Sequence, residues 1–120
     1  MYELSVKGDF CAAHFLRGYE GKCKTLHGHT WKVEATIEND KLDAVGMVAD
    51  FALIKKNLKE FLEVLDHVHL NEFSYFKDIN PTTENLAQYI FDEFPKKYGP
   101  FKLKKVTVWE SDNASITYTK

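Results

Sequence analysis

Residues 2–14 and 27–38 alternate between apolar and polar side chains, and both runs carry histidine on the apolar side. In the first run Leu4, Val6, Phe10, Ala12 and His14 share one face, with Glu3, Ser5, Lys7 and Asp9 on the other. In the second, His27, His29, Trp31, Val33, Ala35 and Ile37 oppose Thr30, Lys32, Glu34, Thr36 and Glu38. A period of two marks a half-buried strand, because successive side chains leave opposite faces. The segment 15–26, with Gly18, Gly21 and several charges, reads as the loop between the strands. The histidines lie near the ends that this loop joins. Antiparallel pairing then brings His14, His27 and His29 together, provided that neither strand carries a bulge.

The remainder predicts two helices and then two more strands. Asp50 is the candidate N-cap of a helix to about Leu65, with Phe51, Ile54, Leu58, Phe61, Leu62 and Leu65 as its apolar stripe. Pro81-Thr82-Thr83-Glu84 opens a second helix, in which Leu86, Ala87, Ile90, Phe91 and Phe94 share a side and Pro95 lies near the end. Leu103, Val106 and Val108 form a third strand ending at Glu110. Ile116 and Tyr118 form a fourth, after the turn-like Ser111-Asp112-Asn113. Strands and helices in runs, rather than in strict alternation, indicate an α+β fold of order ββααββ with an antiparallel sheet.

At 120 residues the chain is expected to form one domain over 1–120. A formal net charge of −2 and the lack of a long Lys/Arg run argue against a nucleic-acid partner. No apolar run approaches the roughly 20 residues that a membrane span needs. The opening residues show no basic stretch followed by an apolar one, so no export signal is expected. Cys11 and Cys23 are the only cysteines. They are expected as reduced thiols, in a cytoplasmic protein.

Three converging imidazoles make the nitrogen set that holds a catalytic zinc and leaves a position open. Cys23, four residues before His27, is then either a fourth ligand closing a structural site or a thiolate base. Lys22 and Lys24 flank it and favour the thiolate, though solvated loop charges account for them equally well. Cys11 falls on the face opposite the histidines. Asp66-His67 pairs a carboxylate with an imidazole, as a proton shuttle requires, with His69 as a competitor for the role. Glu110 has the core-side parity of Val106 and Val108. Either the strand has emerged into solvent there, or the carboxylate accepts two parallel hydrogen bonds from an amidine-like edge. Thr82, Thr83 and Glu84 are accounted for as helix-capping residues.

These residues also carry a resemblance. Phe10-Cys11-Ala12-Ala13-His14, Cys23 with His27-Gly28-His29, Gly46-Met47-Val48-Ala49-Asp50-Phe51, Leu65-Asp66-His67 with Leu70-Asn71, Pro81-Thr82-Thr83-Glu84-Asn85 and Glu110 closely resemble the 6-pyruvoyl-tetrahydropterin synthase family, in order and over nearly the whole chain. The spacing from Cys23 to His27 is similar to that of the bacterial and archaeal branch, which makes a 6-carboxy-tetrahydropterin for queuosine and other deazapurines. The tetrahydrobiopterin branch has a longer insertion there. A branch that releases a hydroxymethylpterin has glutamate near the cysteine position.

The resemblance implies the tunnelling fold, a four-stranded antiparallel sheet with two helices on one side. Such sheets join edge to edge into trimers and stacked hexamers, with active sites between subunits. It implies zinc on His14, His27 and His29, Cys23 as base, and His67 oriented by Asp66 as the returning proton donor. Glu110 would grip the pterin, with Thr82, Thr83 and Glu84 at the same end. The implied substrate is a small pterin triphosphate. Competing readings are a non-enzymatic zinc domain with Cys23 as fourth ligand, or another pterin side-chain lyase of the family. A metal-dependent hydrolase fits less well, because no carboxylate base adjoins the histidine pair.

Overall fold

The long hairpin comes first in the chain and organises the rest. A computed structural model describes residues 1–120, with β1 over Tyr2–His14 and β2 over His27–Asn39. They pair antiparallel without interruption, from Tyr2 opposite Asn39 to His14 opposite His27. The unbroken register keeps the period-two pattern intact along both strands. One face is therefore continuously apolar, and it is this face that the helices cover.

Helix α1 spans Phe51–Glu63 and α2 spans Thr83–Tyr98. The Asp50 carboxylate caps α1 by accepting from the Ala52 N–H at 2.9 Å. Thr82 caps α2 by accepting from the Asn85 N–H at 3.1 Å. Ile54, Leu58, Phe61 and Leu62 of α1 and Leu86, Ala87, Ile90, Phe91 and Phe94 of α2 are buried against the sheet. Strands β4 (Leu103–Ser111) and β5 (Ala114–Tyr118) extend the sheet beyond β2, each antiparallel to its neighbour. One cluster of 23 buried apolar residues fills the space between the layers.

Three details differ from the sequence expectation. The sheet has five strands in the order β3-β1-β2-β4-β5, because Val68–His69 (β3) runs parallel to β1 beside Ala12 and Ala13. Two residues are too few to show a period, so this strand left no pattern to read. Helix α1 ends at Glu63 rather than near Leu65, although Leu65 is still fully buried in the turn that follows. Phe51, expected on the apolar stripe, is 62 % exposed at the first position of α1. Helix α2 runs to Tyr98, with Pro95 near its end as expected. No helix is long and apolar enough to cross a membrane.

Candidate active site

The continuous register of β1 and β2 delivers the three imidazoles to one spot. Ring centroids of His14 and His27 lie 4.5 Å apart, those of His27 and His29 4.8 Å, and those of His14 and His29 5.3 Å. One donor nitrogen from each converges within 4.8 Å of the others. Trp31, next on the same face, forms the floor, with its ring edge-on to His14 at 4.9 Å and to His29 at 5.1 Å. It is fully buried, and sequence parity had placed it only as core.

Backbone carbonyls orient two of the rings. His14 Nδ1 donates to the Pro81 carbonyl and His27 Nδ1 to the Thr25 carbonyl, each at 2.7 Å. A ring that donates through Nδ1 keeps its lone pair on Nε2, the arrangement found in metal-binding histidines. The Nε2 atoms of His14 and His29 are buried and meet no hydrogen-bond partner. Burial is the largest influence on both rings and holds their pKa below the ordinary histidine value. Both rings favour the neutral form and keep a buried, unpartnered Nε2, a donor set that suits a divalent metal with a taste for imidazole. Cys23 is not among the converging donors.

Glu110 reaches the same place from β4. Against β5 the strand registers Trp109 with Ser115 but Ser111 with Ala114, so Glu110 is the extra residue of a bulge. Bulges re-aim side chains, and this one is invisible to a period-two reading. The carboxylate oxygens stop 3.7 Å from His29 Nε2 and 3.9 Å from His14 Nε2, beyond hydrogen-bond range. Thr83 Oγ1 donates to Glu110 Oε2 at 3.3 Å, so the start of α2 and the end of β4 meet beside the imidazoles. Glu110 is about one-third exposed, with room for a further partner. Thr82 serves as the cap, and Glu84 is exposed on the first turn of α2.

The other candidates lie around this centre. Cys23 sits half-buried in a 3₁₀ turn, Lys22–Lys24, and its carbonyl accepts from the Leu16 N–H at 2.8 Å. That bond ties the turn to the chain two residues past His14. Asp66 and His67 do touch: Asp66 Oδ2 lies 2.9 Å from His67 Nδ1, while Oδ1 accepts from the Cys11 N–H at 2.8 Å. The Cys11 amide and the His67 ring hold the Asp66 carboxyl below its ordinary pKa. His67 adopts a left-handed backbone, φ 58°, and its side chain is 81 % exposed. His67 and His69 line a shallow groove with Cys11 and Thr30 of the open face, apart from the converging donor atoms of His14, His27 and His29. Cys11 points to the open face of the sheet, 3.5 Å from Thr30 Oγ1.

The family model described as 6-pyruvoyl tetrahydropterin synthase matches residues 3–120. The chain is 40% identical to the 6-pyruvoyl tetrahydrobiopterin synthase of Homo sapiens, covering 97% of this chain and 90% of that one. It is 34% identical to the 6-carboxy-5,6,7,8-tetrahydropterin synthase of Rickettsia typhi, over 97% and 99% of the two chains. Its fold superposes on the structure of Caenorhabditis elegans 6-pyruvoyl tetrahydropterin synthase with a TM-score of 0.85 and 27% identity, covering 99% and 95% of the chains.

Proposed function

The chain belongs to the 6-pyruvoyl tetrahydropterin synthase family, and from that premise we propose that it is a zinc-dependent carbon–carbon lyase acting on the side chain of a pterin. The reaction is the conversion of 7,8-dihydroneopterin triphosphate and one water to 6-carboxy-5,6,7,8-tetrahydropterin, acetaldehyde and triphosphate, in queuosine or deazapurine synthesis in the cytoplasm. The observation that carries the reading is the pair of buried, unpartnered Nε2 atoms of His14 and His29 set beside the Glu110 carboxylate.

His14, His27 and His29 would hold the metal. Zinc, when bound, supplies Lewis acidity toward the hydroxyl groups of the pterin side chain. Cys23, as thiolate, removes a proton from that side chain. His67, oriented by Asp66, returns one elsewhere on the substrate, since an internal proton relocation needs an acid and a base. Glu110 accepts two hydrogen bonds from the 2-amino and N3 edge of the pterin. Thr83 holds that carboxylate, and Thr82 and Glu84 lie at the same end. The exposure of His67 suits a site completed between subunits of a trimer or hexamer, where a second copy covers it.

A second reading, formation of a pyruvoyl-tetrahydropterin, is favoured by the 40% identity to the human protein. The four-residue step from Cys23 to His27 favours the carboxy product. Removal of Cys23 separates base from ligand. Cys23→Ala should keep about one zinc per chain and lose activity by about 100-fold or more; His27→Ala should lose both. Zinc analysis and turnover are measured on the same preparations. Complete loss of zinc from Cys23→Ala would show that the cysteine is a ligand.

A further inference from the structure

Past His14 the chain leaves β1, yet Phe15 and Arg17 remain held as if by a neighbouring strand. Two side-chain amides do this. The Phe15 N–H donates to Asn71 Oδ1 at 2.9 Å, and Asn71 Nδ2 donates back to the Phe15 carbonyl at 3.0 Å. Arg17 and Asn80 repeat the exchange, with both bonds at 2.9 Å. An asparagine amide offers one donor and one acceptor along an edge, as a peptide group does. Residues 15 and 17 are thus paired on alternate positions, as in a sheet.

Asn80 is fixed at its backbone as well. Its carbonyl accepts from the Thr82 N–H and from Asn85 Nδ2, each at 2.8 Å. The next residue is Pro81, whose ring restricts φ and whose carbonyl receives His14 Nδ1. One rigid residue therefore separates the Asn80 clamp from the group that orients a candidate metal ligand. Two residues further on, Thr83 holds Glu110.

We propose that Asn80 is a positioning residue for the metal site: by clamping the Arg17 backbone it sets the Pro81 carbonyl, and through it the rotation of the His14 ring. The proposal rests on the metal reading above. Carbonyl and carboxylate partners of ligating histidines typically contribute about 10–100-fold to metal affinity. Asn80 acts one step behind such a partner without touching the imidazole.

The test is zinc affinity, by competition with a chromophoric chelator, together with the visible spectrum of the cobalt(II)-loaded protein. Asn80→Ala removes both bonds to Arg17 and should weaken zinc binding about 10-fold or more and shift the cobalt bands. Asn80→Asp keeps the acceptor for the Arg17 N–H, loses the donor, and should fall between wild type and Asn80→Ala. Asp50→Ala, at the distant cap of α1, controls for general loss of stability and should leave both readings unchanged. If Asn80→Ala does not fold, Asn80→Asp and Asn80→Ser carry the same expectation of weaker binding. Wild-type affinity and spectrum in the folded Asn80 variants overturn the proposal, as does an equal loss in Asp50→Ala. A wild-type protein that binds no zinc overturns the metal reading and the proposal with it.

Discussion

At the scale of single residues, the site depends on what each imidazole nitrogen is given. His14 and His27 spend Nδ1 on backbone carbonyls, leaving Nε2 free, and no carbonyl partner could have been foreseen from residue identity alone. The same burial makes the metal-free protein sensitive to mild acid. His14 and His29 have pKa values lowered in the folded state, chiefly by desolvation, whereas in the unfolded chain they return to about 6.5. Between those values the unfolded state binds more protons than the folded one. Stability is therefore full above the unfolded value and is lost as pH falls through the folded one. The urea midpoint of the chelator-treated protein should drop as the pH falls below about 6.5. A midpoint that stays flat as the pH falls below that value would contradict the burial of neutral imidazoles.

At the scale of elements, α1 can lie close to β1 because Gly8 occupies the apolar face where a side chain would otherwise stand. A Cβ built there meets Leu62 Cδ1 at 3.0 Å and Leu58 Cδ2 at 3.4 Å. Gly8→Val must push the helix away or force its leucines off their rotamers, and should cost about 1–3 kcal/mol in urea unfolding. A loss under 0.5 kcal/mol, about that of an ordinary surface change, would mean that the contact between α1 and β1 is loose. The two long strands were legible because alternation over 2–14 and 27–38 leaves few other structures open, although Thr36 is buried between Ala35 and Ile37. Both helices were legible from their caps, Asp50 and Thr82, and from their apolar stripes. Strand parity brought His14, His27 and His29 together, and residue chemistry singled out Cys23, Asp66, His67 and Glu110, but other features that shape the site were hidden. The bulge that aims Glu110 has no residue signature, β3 is too short for a pattern, and the Asn80 clamp joins residues 63 positions apart in sequence.

At the scale of the whole molecule, the chain is long and open-edged. It measures 53 × 24 × 22 Å with a radius of gyration of 15.2 Å, against about 14 Å for a compact domain of this length. β3 covers the outer edge of β1 only at Ala12 and Ala13, and β5 closes the sheet with no strand beyond it. Unpaired strand edges invite pairing with another chain unless something covers them. The proposed ring of copies would satisfy both edges and enclose the exposed His67. Function at this scale is a single chemical outcome, which residue substitutions approach only indirectly. The most direct test is to incubate the purified zinc-loaded protein with 7,8-dihydroneopterin triphosphate and identify the products by mass. The expected products are 6-carboxy-5,6,7,8-tetrahydropterin with equimolar acetaldehyde and triphosphate; a pyruvoyl-tetrahydropterin, or unchanged substrate, would contradict the proposed reaction.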